Sequence, residues 1–198
     1  MTATKILKLF VKSKYEFDPE KELVIITGRG IDIVDEKLVY NDNKVDEWND
    51  LILLCSPKGD KKYKGTVDPG LDFMKQPINP DGTGRLESGV LWLKRGLHRG
   101  YQALVQSRAA LVRRDSNRDL KFTDEDPTQK GFYAANFHGA SSLKRVGRSS
   151  AMCVVLMLLH TSKEFKDLIA WIYSFEQKEF PCVIIEQREL ALFIGGLK

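Results

Sequence analysis

Apolar and polar positions divide the chain into short runs separated by turn residues. The opening segment ATKILKLFVKSKYEF reads as an alternation, which predicts a first strand. ELVIITG predicts a strand ending at Gly28, and DLILLCSP a buried strand stopped by Pro57. YNDN and DPG mark turns. The segment QPINPDGTGRLESGVLWLKRGLHRGYQALVQ is dense in Gly and Pro at its start, which predicts a long loop of the kind that carries function. Within and after it, VLWLKRGLH and QALVQSRAALVRRD predict strands flanking an HRGY turn. The first two-thirds of the chain therefore reads as β.

The last third differs. AMCVVLML predicts a strand or the buried start of a helix. TSKEFKDLIAWIYSFEQKEF predicts a helix: Phe165, Leu168, Ile169, Ile172 and Tyr173 recur at helical spacing and form a core-facing stripe. Thr161 is positioned to cap it, with Glu164 three residues on as the capping-box partner. After Pro181, CVIIEQRELALFIG predicts one or two last strands. The expected architecture is a single domain, residues 1–198, that is mostly β, a sandwich or a barrel-like sheet, with one C-terminal helix packed on it.

Composition narrows the function classes. Of 198 residues, 42% are hydrophobic and 29% charged, the balance of a globular domain with a normal core. The longest apolar run, Ala151–Leu159, is far short of the roughly 20 residues that a membrane helix needs. The N-terminus has no signal-peptide pattern, so synthesis in the cytoplasm is expected, with any role at a cell wall requiring release or carriage by a virion. The net charge of +4 favours approach to polyanions, but the basic residues are scattered and no nucleic-acid-binding motif accompanies them, so no nucleic-acid partner is expected. Three widely spaced cysteines form neither a disulfide framework nor a CxxC zinc site. Cys55 and Cys182 lie in plain apolar strand contexts.

Cys153 is different, because NFHGASSLKRVGRSSAMCVVL places a His-Gly pair fifteen residues before it. An imidazole beside a thiol can take its proton and hold a thiolate, so His138 and Cys153 are candidates for base and nucleophile, and the thiolate is then expected well below the ordinary cysteine pKa. The competing reading is a turn between core strands that happens to hold both residues. His98, between glycines in GLHRGY, and Arg99 are candidate contacts for a substrate carboxylate, as is Arg148 of the basic loop. His160 reads as structural. RDSNRDLKFTDED places Asp115, Asn117, Asp119 and Asp126 at calcium-loop positions, but Leu120 stands where the loop needs glycine. An acidic surface hairpin without metal is expected there, and no cofactor anywhere.

FHGAS followed by SAMC resembles the active-site segment of the L,D-transpeptidase (YkuD-like) family: a His-Gly, a polar loop, then Ser-x-Gly-Cys. The family's members are mostly-β proteins that remodel peptidoglycan through a cysteine thioester. The resemblance implies Cys153 as nucleophile, His138 as base, Gly139 as its glycine and Ser150 as the motif serine. From Gly65 to Cys153 the chain is also similar to a group of uncharacterised phage and prophage proteins with TTDPG, GLHKG and SAGCQV segments in that order. The implied function is acyl transfer or hydrolysis on peptidoglycan stem peptides. Met152 stands in place of the motif glycine, Ala151 in place of a histidine and Val154–Val155 where an arginine often follows. These departures motivate the second reading, a catalytically inactive virion or wall-binding module of the same fold, with virion assembly partners.

Overall fold

The computed structural model describes residues 1–197. The N-terminal segment, expected as a strand, is a helix, α1 (Ala3–Tyr15). Strict alternation fails at Ile6–Leu7 and again at Leu9–Phe10–Val11. Ala3, Leu7, Phe10 and Val11 instead fall on one side of a 3.6-residue period, and all four are buried. Thr2 caps the helix by accepting from the Lys5 N–H at 3.4 Å, and Glu16 ends it in the left-handed region at φ 61°.

Strands follow in quick succession: β1 (Val24–Arg29), β2 (Ile31–Val34), β3 (Lys37–Tyr40), β4 (Asp50–Cys55) and β5 (Lys61–Thr66). A short helix, α2 (Leu71–Lys75), precedes β6 (Thr83–Leu86), β7 (Gly89–His98), β8 (Tyr101–Gln106) and β9 (Ala110–Asp115). The long loop expected from residue 76 is therefore cut short by β6. The HRGY turn is a two-residue hairpin, with Arg99 at φ 49° and Gly100 at φ 90°, which matches the twist of the β7–β8 ladder. Next come β10 (Thr128–Gly131), β11 (Phe137–Ala140), β12 (Val154–Leu159), α3 (Lys163–Tyr173) and β13 (Glu179–Glu186). The last segment, expected to be all strand, finishes instead in a helix, α4 (Gln187–Gly196), whose Gln187 side chain donates to the carbonyls of Gly30 and Asn41, both at 2.6 Å. The helix at α3 lies where its apolar stripe predicts, but Ser162, not Thr161, is its cap, accepting from the Phe165 N–H at 3.2 Å.

The chain is mostly β, and eight strands close into a barrel in the order β1-β13-β7-β8-β11-β12-β5-β4. Two neighbouring pairs, β1–β13 and β11–β12, are parallel; the rest are antiparallel. A three-stranded sheet, β10-β9-β6, and the β2–β3 hairpin sit beside the barrel.

Alternation along each strand sorts the core. Ile25, Ile52, Leu54, Cys182 and Ile184 join a large cluster with Leu104, Phe137, Val154 and the apolar side of α3. Their strand neighbours Val24, Ile26, Leu51, Leu53, Cys55, Val183 and Ile185 face the other way and form a second cluster with Leu7, Phe10 and Val11 of α1 and Leu190 of α4. Both faces of β1 and β4 are thus covered, which is why these strands read as unbroken apolar runs.

Candidate functional site

The register of β11 and β12 sets the site. Phe137 pairs with Val154 and both side chains enter the large cluster. Asn136, His138, Cys153 and Val155, one position away, therefore face the opposite side of the wall. The loop from 141 to 153 folds over this face. Asp46 pins it by accepting from the Gly147 N–H at 2.6 Å and from Arg145 at 2.8 Å. Gly70 lies so close beneath the loop that a Cβ there would overlap the carbonyl oxygen of Gly147.

All three histidines of the chain line one cavity of about 280 Å³, together with Arg99, Tyr101, Gly139 and Arg148. His98 stacks on His138 with ring centroids 4.0 Å apart, and Tyr101 stacks on His160 at 4.6 Å. The β7–β8 hairpin supplies His98, Arg99 and Tyr101, β11 supplies His138, and the residue after β12 is His160. His98 Nδ1 lies 3.0 Å from Asn136 Nδ2, so the amide N–H donates to an imidazole lone pair. Gly139 has a packing reason: a Cβ there would come within 2.8 Å of the Leu158 carbonyl oxygen and 2.9 Å of the His160 backbone. That close approach brings the third histidine in beside the second.

His138 is 3% exposed. Its Nδ1 lies 2.8 Å from the Gly139 carbonyl oxygen, which can only accept, so the proton sits on Nδ1 and the lone pair on Nε2. Nε2 is buried and has no hydrogen-bond partner among the described residues. Burial and the adjacent His98 push the imidazole pKa down to about 3, so the ring is neutral in ordinary buffers.

Cys153 precedes β12 and is 8% exposed. Its Sγ accepts from the Asn136 N–H at 3.4 Å and donates towards the Ala134 carbonyl at 3.6 Å. No hydrogen bond joins it to His138 among the described residues, and it does not line the histidine cavity. The expectation of an acidic thiol is overturned: burial pushes Cys153 up to about 11, against smaller opposing effects from the Asn136 N–H and Arg99. A neutral, buried imidazole on the same wall face gives a thiolate no charge partner. Cys55 and Cys182 are raised further by burial.

Ser150 is fully buried, and its hydroxyl donates to the Cys153 carbonyl oxygen at 3.0 Å. It shapes the turn that delivers Cys153 to β12. Met152 turns away from the histidines. Its side chain joins the large apolar cluster, touches Gly84, and lines a separate cavity of about 360 Å³ with Phe73, Tyr133 and Ala134. The residue in the glycine position of the motif therefore does not cover the histidine cavity.

No family model, curated protein or solved structure matches this chain.

The structure brings His98, Arg99, His138, Gly139 and Arg148 together and sets Ser150 and Cys153 behind them. His160 and Tyr101 were not expected there. Nothing in the local sequence around His160 marks it; only the three-dimensional closeness of Gly139 does. No three His, Cys, Asp or Glu side chains among the described residues are arranged to hold a metal. In the acidic segment 115–126, Asp115 accepts from the Asp119 and Leu120 N–H groups and Asp126 from the Thr123 N–H, so these carboxylates cap their own turns. Leu120, at the loop's glycine position, adopts a positive φ of 66°.

Proposed function

We propose that this protein is a YkuD-like cysteine acyl-transfer enzyme acting on peptidoglycan stem peptides. The observation that supports the reading is His138: its Nδ1–H is committed to the Gly139 carbonyl, which leaves Nε2 as an unpartnered base on the same wall face as Cys153. In the proposed reaction the Cys153 thiol attacks an acyl carbonyl of the stem peptide while its proton passes to His138 Nε2. The imidazolium then gives that proton to the leaving amine, and a thioester remains. An acceptor amine or water attacks the thioester, His138 removes its proton, and the proton returns to the departing sulfur. Arg99 and Arg148 line the cavity and in this reading hold a substrate carboxylate.

A neutral thiol and a neutral imidazole imply proton transfer coupled to attack, not a preformed ion pair. The rate is then expected to be flat between about pH 5 and 9, because His138 titrates near 3 and Cys153 near 11. The deciding experiment incubates the protein with sacculi and follows both released peptides and the intact mass of the protein. An acyl adduct that Cys153→Ser abolishes, with turnover slowed by roughly 10²- to 10⁴-fold in His138→Ala, supports the enzyme.

One observation favours a second reading, a non-catalytic wall-binding or virion module: the Cys153 thiol is nearly enclosed and lines neither adjoining cavity. Sacculus binding that depends on Arg99 and Arg148, with no adduct and no released peptide, would establish that reading.

A further inference from the structure

The largest cavity described, about 610 Å³, lies away from the histidines. It sits where β1 and β13 end, between the β6 strand, the segment around Phe122 and the start of α4. Four arginines line it; Arg188 is exposed, and the other three are treated very differently. Arg29, 2% exposed, donates to Asp68 at 2.7 Å, to Glu186 and to the Leu86 carbonyl at 2.8 Å. Arg113 makes a two-point pair with Glu87 at 2.9 and 3.1 Å and donates to the Thr123 carbonyl at 2.6 Å. Arg85 has no hydrogen bond and no carboxylate partner among the described residues, and its Nε is buried. The Phe122 ring lies 4.9 Å from its guanidinium carbon, and Asp68, Glu186 and Glu87 act on it only through space.

A partly buried guanidinium without an anion is costly to the fold. Two more unpartnered buried atoms belong to residues lining the same cavity: Asn43 Oδ1, whose amide nitrogen is held by Asp68 at 2.9 Å, and Glu189 Oε2, whose other oxygen is held by Lys14. Both are acceptors. Among the described residues four buried side-chain atoms lack a partner; three belong to this cavity and the fourth is His138 Nε2. The cavity thus presents one partly buried cation without a hydrogen-bonded anion, a solvent-exposed Arg188, and two free acceptors. Glu87, Glu186 and Glu189 stand on the same wall and oppose a second negative charge on any occupant.

We propose that this cavity binds a small molecule carrying a single carboxylate and amide N–H donors, the chemistry of an N-acylated amino acid or of a short peptide's C-terminus. The carboxylate pairs with Arg85 across from Phe122, and the donors face Asn43 Oδ1 and Glu189 Oε2. The volume is within the range of sites that enclose a ligand of this size. The proposal does not depend on the chemistry assigned to Cys153.

Calorimetric titration of the whole protein with N-acetyl-alanine and with acetyl-trialanine tests it, with the C-terminal amide of each and inorganic phosphate as comparators. Saturable binding of an acid, weakened by roughly tenfold or more in its amide and in Arg85→Gln, is expected from loss of one charge-assisted pair. Binding of the single residue alone, or of the peptide as well, tells the two sources apart. Ligand-free Arg85→Gln is expected to melt no lower than the parent, since the guanidinium gives up no hydrogen bond or ion pair and its partial burial outweighs the Phe122 contact. Acid and amide binding alike in the parent, phosphate binding as tightly as either acid, no saturable binding at all, or a lower melting temperature for Arg85→Gln would each overturn the proposal. The acid-against-amide comparison needs no variant, so it stands even if Arg85→Gln fails to fold.

Discussion

The barrel contains two parallel strand pairs, and they are finished in opposite ways. On β1–β13 the face turned from the barrel's main cluster is apolar and sealed by α1 and α4, with Phe193 edge-on to Phe10 at 5.3 Å. On β11–β12 the corresponding face carries Asn136, His138 and Cys153 under an irregular loop. Each pair ends in a cavity: the arginine cavity where Arg29 and Glu186 close β1 and β13, the histidine cavity where Ser141 and His160 follow β11 and β12. Parallel strands point the same way, so their carboxyl ends and following turns gather side chains at one place, which antiparallel neighbours do not do. What differs is the cover. Helices bring apolar stripes and seal; a loop brings backbone and polar groups and leaves room.

The largest expected difference between the two lies in packing. Phe10→Ala removes the centre of the helical cover and is expected to cost about 3–5 kcal/mol in chemical denaturation. A loss below about 1 kcal/mol would mean that α1 does not seal the wall, and the contrast would fail.

The second test uses acid. His138 titrates near 3 in the folded chain and near the ordinary value of 6.5 when unfolded. The unfolded chain therefore binds the extra proton between those values, and stability falls as pH drops from about 6.5 towards 3, by at most about 1.4 kcal/mol per unit. His138→Gln is expected to flatten this slope in urea titrations at several pH values. An unchanged slope would show the imidazole to be hydrated rather than buried.

A smaller effect is expected from Gly139→Ala, which drives a methyl against the backbone of Leu158 and His160 and should cost about 1–3 kcal/mol. It should also move the His160 ring signals in NMR spectra while leaving Phe10 and Phe193 undisturbed. The smallest concerns the helix beside the polar pair: Ser162→Ala should lose about 1 kcal/mol of stability, and Thr161→Ala almost none.

Much of this architecture is legible along the chain. The unbroken runs at 24–29 and 50–55, the HRGY hairpin and the α3 stripe are local patterns, and the structure places strands, turn and helix there. The two terminal helices are less so, because each apolar segment is short and only a partner surface decides between a period of 2 and one of 3.6. For the site, the sequence singles out His98 and His138, and folding places both at one cavity. His160 arrives through a tertiary approach that only Gly139 hints at. The acidity of Cys153 is not legible in the sequence, because it depends on burial, which a His-Cys spacing does not carry. Arg85 and Arg29 look alike in sequence; only the positions of Asp68 and Glu186 separate the satisfied one from the free one.

Barrel closure through β1 and β13 has a kinetic consequence. Ile25 pairs with Cys182, so the contact that completes the wall joins residues from opposite ends of the sequence. During synthesis β1 and β4 emerge early and pair with each other, but β1 keeps one unbonded edge and an uncovered apolar face until β13 and α4 follow. Contacts of such long separation slow folding into roughly the millisecond-to-second range. The nascent chain therefore spends its most aggregation-prone interval waiting for its last strand, and a truncation before residue 179 should yield a sticky, open sheet rather than a smaller barrel.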